Sequence, residues 1–224
     1  MVLQLFEKFI LLALDQKKGR FLIDSFSLNY GLAGAILLEL SDLNKIVIKN
    51  KKITVIDNKL TNNPIIDASL KLINKSTKDK KPRHWIYKLG NKSSGFKRII
   101  LKDLNEKGIL RKETKNYLSG LIKIKRYPVL NPKEVNEIKD RVKKVVLEKE
   151  KPDIEVILIL SLMASCKLTR ILFATKKEHK EAKKKIRELT KDIEISEAIN
   201  QTLKEIQAAI IVATTSTFVS SSSS

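Results

Sequence analysis

At 224 residues with 42% apolar content, the chain is long enough to bury a core of its own, which argues against a largely disordered polypeptide and makes one compact domain or two closely packed subdomains the expected arrangement. Its 45 Lys and Arg against 25 Asp and Glu leave a net charge of +20, which favours polyanionic partners, either nucleic acid or an anionic membrane surface. The single cysteine, Cys166, excludes an intrachain disulfide and fits a reducing, cytoplasmic setting.

The charge is concentrated. Between Lys75 and Arg126 stand 17 Lys or Arg against 4 Asp or Glu, an excess of +13, whereas residues 1–74 carry +3 and residues 127–224 carry +4.

In chain order, Leu3, Leu5, Phe6, Phe9, Leu12 and Leu14 recur at helical spacing and the pattern breaks at Asp15 to Gly19. No basic stretch precedes this run and no small-residue cleavage site follows it, so an amphipathic first helix is expected here and no signal peptide. Asp24 or Ser25 caps a second, largely apolar helix through Leu40, in which Gly31, Gly34 and Ala35 leave room for another backbone. Residues 45–57 then alternate apolar and polar on both sides of Asn50 and Lys51, the pattern of a two-stranded hairpin.

A helix over Ile65 to Ile73 follows, then a charged linker from Ser76 to Pro82 and a short helix around Trp85, Ile86 and Leu89 ending at Gly90. Asn91 to Gly95 reads as loop, Phe96 to Asn105 as helix, and Gly108 as its terminator. Strand-like Ile109 and Leu110, followed by Leu118 to Ile124, then repeat the helix-and-hairpin unit, which resembles the winged-helix plan. Asn131, Pro132 and Glu134 start a helix to about Glu148. Pro152 and Asp153 open an apolar helix to about Phe173, and two more helices cover Lys177 to Thr190 and Ser196 to Thr215. The fold class is therefore mainly α, a compact helical domain over residues 1–219 with two small β-hairpins, trailed by a low-complexity serine tail at 220–224.

Motifs for catalysis are sparse. His84 and His179 have no cysteine or carboxylate at metal-ligand spacing, so no metal site is expected; His179 reads as part of a solvated helix face and His84 as a half-buried structural residue. The sequence shows no phosphate-binding glycine loop ahead of a helix and no G-x-S-x-G turn, and neither an enzyme nor a cofactor is expected. The longest apolar segments fall well short of the roughly 20 residues of a membrane-spanning helix. Membrane contact is expected to be peripheral.

The run from Leu11 to Ile48, then WIYKL at 85–89 and LNEKGIL at 104–110, resembles the Golgi phosphoprotein 3 family over nearly the whole chain. That resemblance implies a helical domain docked on the cytoplasmic face of a membrane, at the Golgi where the source is eukaryotic; the Lys, Ile and Asn richness and the missing long basic N-terminal arm look more like a prokaryotic relative. Eukaryotic members bind phosphatidylinositol 4-phosphate and the cytosolic tails of membrane proteins, and the resemblance implies an adaptor role in trafficking or sorting. Of the family's four headgroup residues, the tryptophan falls on Asp24, one arginine on Ala33, and two arginines on Ser94 and Lys97. Only Lys97 keeps the charge.

The expected headgroup site is therefore Lys97 with Arg98 and Lys102, and the tip of the second hairpin, Tyr117, Leu118, Leu121 and Ile122, is the expected membrane contact. An ordinary hairpin packed on the body or on a second subunit is the alternative, and a homo-oligomer stays open. In another class, a winged-helix protein binding nucleic acid rests on the same charge and the duplicated units.

Overall fold

The computed structural model describes residues 2–117, 122–173, 175–189 and 197–220. Among them are ten α-helices and two antiparallel β-hairpins, the mainly α class that the hydrophobic spacing predicts.

The central helix is α2 (Ser25–Asp42), around which α1 (Leu5–Leu12), α3 (Pro64–Asn74), α4 (Pro82–Gly90), α5 (Ser93–Glu106), α7 (Ile154–Ser165) and α10 (Glu197–Ser220) pack. Asp24, and not Ser25, caps it: its Oδ1 accepts the N–H groups of Phe26 and Ser27, both at 2.9 Å, and Oδ2 accepts the Ser27 hydroxyl. The small residues do what their size suggests. A Cβ on Gly31 would run into the Phe9 ring and Cys166 Sγ, and one on Gly34 would run into Ile210. Cys166 is buried, and burial pushes its thiol far above the ordinary cysteine value. Against this core Trp85, Phe6 and Phe9 are almost fully enclosed, each contributing about 2–3 kcal/mol by removing apolar surface from water.

The first hairpin pairs β1 (Ile46–Lys49) with β2 (Lys52–Val55), and its two turn residues, Asn50 and Lys51, have φ of 50° and 60°. That left-handed pair matches the twist of the strands. The second hairpin differs from expectation in its first strand: β3 is Glu113–Tyr117, while Ile109 and Leu110 lie outside both strands and Leu110 bridges to Val129; β4, Ile122–Arg126, overlaps the expected Leu118 to Ile124. Apolar content misled here, because this ribbon is built from polar and β-branched residues exposed along most of their length.

Other boundaries also differ. Ser93 to Gly95, expected as loop, form the first turn of α5, where two serines tolerate the end of a helix. Pro82, expected in the linker, is the first residue of α4, where its missing N–H costs nothing. The helix from Lys133 runs as α6 to Lys143 and continues as a π-helical turn over Lys144–Glu148. The apolar helix from Asp153 stops at Ser165, Lys167 takes φ of 61°, and a separate α8 (Thr169–Leu172) follows; α9 is Lys176–Leu189. Among the described residues no helix is long and apolar enough to cross a membrane.

Charged groups meet between α1, α2, α5, α6 and α7. Glu7, 2% exposed, accepts from Lys107 Nζ at 2.6 Å and from the Gln4 N–H at 2.8 Å. Lys8 pairs with Glu155, which also takes Arg141. Glu39 accepts the Leu5 N–H at 2.5 Å, and burial, helped by Asp42 and Glu7 against Lys8 and the Leu5 N–H, pushes its carboxyl up to about 7.

Candidate anionic-surface site on α5

The loop joining α1 to α2 sets one wall of the site. Asp15 closes it by accepting the N–H groups of Lys17 and Lys18, while the Gly19 N–H donates to the Asp15 carbonyl at 2.8 Å. Gly19 has φ of 59° and lies so close to the backbone of Tyr127 and Pro128 that no Cβ fits; the Tyr127 N–H donates to its carbonyl at 2.9 Å. Phe21, bridged to Leu14, is thereby held against α5.

Lys97 projects from α5 toward this wall, its ammonium 5.5 Å from the centroid of the Phe21 ring. The side chain is half-buried, and burial lowers its pKa below the ordinary lysine value. Among the described residues no carboxylate pairs with Lys97 or Arg98. Arg98 is exposed one position on, and Lys102, on the same face as Arg98, is exposed and touches Glu106 at 3.4 Å. An ion pair so open to water holds Lys102 weakly. Lys107, by contrast, is tied to Glu7 and Asp103, both at 2.6 Å, and fastens the end of α5 to α1.

The other positions matched to the family's headgroup residues separate. Asp24 is three residues beyond Phe21 and is spent as a cap: burial opposes its charge, but the Ser27 hydroxyl and the N–H groups of Ser27 and Phe26 outweigh that and hold its pKa low. Ala33 is buried inside the core and presents nothing to a ligand. Ser94 is exposed on the flank of α5 that faces α3.

Of the hairpin residues, Ile122 is 46% exposed and its backbone pairs with Tyr117; Leu118 and Leu121 lie outside the described residues. His84, expected half-buried, is exposed and stands edge-on to the Trp85 ring at 5.0 Å, because the indole fills the core below it. His179 is half-buried instead of fully solvated. Among the described residues no group of three or more His, Cys, Asp or Glu is placed to hold a metal ion.

Two features escaped the sequence reading. Phe21 carries no motif, and its role appears only when the loop is closed on α5. The basic side chains Lys71 and Lys75 lie in or beside the +13 segment but on α3, where their i,i+4 spacing signals a shared face and nothing signals which helix they meet.

The chain is 30% identical over 166 residues to vacuolar protein sorting-associated protein 74 of Schizosaccharomyces pombe, an alignment covering 65% of this chain and 47% of that relative. The chain thus spans about half the length of the curated relative it matches. The description of the Golgi phosphoprotein 3 family matches residues 5–206, nearly all of the helical domain, and the chain belongs to that family.

Proposed function

We propose that the protein is a non-enzymatic peripheral membrane protein that holds anionic lipid headgroups on α5, through Lys97 with Arg98 and Lys102. The observation that carries this reading is the half-buried Lys97 ammonium, set over Phe21 with no carboxylate partner among the described residues. A phosphate reaching it would meet a positive charge already partly stripped of water, with Arg98 beside it to add a guanidinium. The name of the fission-yeast relative, a vacuolar protein sorting-associated protein, supports a sorting role, here that of an adaptor for the cytosolic tails of membrane proteins.

Phosphatidylinositol 4-phosphate is the first lipid to test. With Ala33 and Ser94 where the family has arginine, and an acid at Asp24, general attraction to an anionic cytoplasmic face fits better than selection of one phosphoinositide. The hairpin tip, Tyr117 to Ile122, is the proposed apolar contact, flanked by Lys123, Lys125 and Arg126.

Vesicle flotation at low salt decides the matter. Recovery on vesicles containing phosphatidylserine or phosphatidylinositol 4-phosphate, with none on phosphatidylcholine alone, is the expected result. Equal recovery on all three overturns the proposal. Duplex DNA serves as the competing polyanion: α2 is buried along most of its length and offers no face to a groove, so salt-sensitive binding of duplex tighter than vesicle binding would favour the winged-helix alternative.

A further inference from the structure

A second flank of α5 faces α3, and between the two helices lies a groove of about 570 Å³. Its apolar lining comes from Leu72, Phe96 and Ile99, the last 41% exposed. Its cationic lining is Lys71, Lys75 and Lys92, all exposed.

No carboxylate lines this groove, and no ion pair among the described residues engages any of the three lysines. The nearest acid along α3, Asp67, accepts the N–H and hydroxyl of Thr61 at 2.8 and 2.9 Å and feels the charge of Lys71 one turn on without forming an ion pair with it. Three like charges around one concavity repel over distances shorter than the Debye length of roughly 8–10 Å. Lys92 makes this worse, because it occupies the N-cap of α5 and sets a cation at the positive end of a 14-residue helix that has no side-chain cap. An anion seated there relieves both costs at once.

We propose that this groove takes one anionic phospholipid, with its phosphate among Lys71, Lys75, Lys92 and the first-turn amides of α5 and the start of an acyl chain on Leu72, Phe96 and Ile99. A peptide would bring backbone N–H and C=O groups that need partners, and apart from the ammonium groups the lining offers few; an acyl chain needs none. The site is separate from Lys97, which leaves α5 toward Phe21, and it rests on the reading that α5 faces a membrane. Two headgroups held on opposite flanks of one helix would fix the orientation of the protein on the bilayer and add avidity.

The test uses the full chain and short-chain lipids below their micelle concentration, followed by amide resonances. Dihexanoylphosphatidylglycerol is expected to shift the Gly95 and Phe96 amides saturably, dihexanoylphosphatidylcholine to leave them unmoved, and inorganic phosphate to act far more weakly. The K71Q/K75Q/K92Q variant should lose these shifts, with affinity falling about fivefold for each lysine removed, while Lys97→Ala keeps them. The proposal is overturned if phosphatidylglycerol leaves Gly95 and Phe96 unmoved, if free phosphate matches it, if the triple variant behaves as the parent, or if an acidic peptide shifts the same amides at lower concentration. Failure of vesicle flotation with these shifts present sinks the membrane reading alone; loss of the shifts with Lys97-dependent flotation intact sinks the groove alone.

Discussion

The ammonium of Lys97 stands 5.5 Å from the centre of the Phe21 ring, a contact between residues 76 positions apart that joins α5 to the loop before α2. A cation held over a ring face gains about 0.5–2 kcal/mol depending on desolvation. It also keeps the charge in one place, where a solvated lysine would sweep a wide arc.

Lys97→Ala should therefore weaken binding to anionic vesicles by about fivefold, or about 1 kcal/mol, with Lys97→Arg largely retaining it. Phe21→Leu, which keeps the apolar packing but removes the ring quadrupole, should give a smaller loss. Titration of vesicle composition at fixed ionic strength measures both; an unchanged Lys97→Ala removes this residue from the site.

Glu39 should make stability fall as pH rises. Its folded value, about 7, lies above the ordinary 4.5, so between those limits the folded state holds more protons than the unfolded one and loses stability with increasing pH. The loss is on the order of 2 kcal/mol and is complete above about pH 7. Glu39→Gln, which can still accept the Leu5 N–H, should be more stable than the parent at pH 8 and similar at pH 4.5. Thermal unfolding at the two pH values tests this; equal pH dependence in parent and variant rejects it.

Gly31 and Gly95 should respond in opposite senses to alanine. At Gly31 the new methyl meets the Phe9 ring and Cys166, and overpacking of about 1–3 kcal/mol exceeds the helix-propensity gain of about 1 kcal/mol. At Gly95 nothing lies within 4 Å, so only the gain remains. Denaturant midpoints of the two variants should move to opposite sides of the parent.

Asp24→Ala should cost about 1 kcal/mol by stripping the cap from α2, whereas Ser25→Ala should change little. Asp24→Asn preserves the cap acceptor and separates its structural effect from that of the charge. Unfolding midpoints of the three variants rank the contributions, and equal losses at Asp24 and Ser25 would contradict the observed cap.

Most helices were legible because their apolar spacing and their caps are local. Asp24, Asn50 with Lys51, and Gly108 act within a few residues of themselves, so sequence alone places them. The first strand of the second hairpin escapes the sequence for the complementary reason. It carries Glu113, Thr114, Lys115 and Asn116, with no apolar face to announce it, and apolar Ile109 and Leu110 belong to a bridge that closes only when Val129 returns.

The candidate site divides in the same way. Composition and charge distribution determined that the segment from Lys75 to Arg126 is strongly basic, and the spacing determined that Lys97, Arg98 and Lys102 share a helix. Tertiary structure decided what each charge is for. Lys107 is consumed by Glu7 from α1, Lys97 is set against Phe21, and Lys71 and Lys75 meet Lys92 across a groove between two helices. A lysine's availability depends on which groups surround it, and those groups come from distant parts of the chain that only folding brings together.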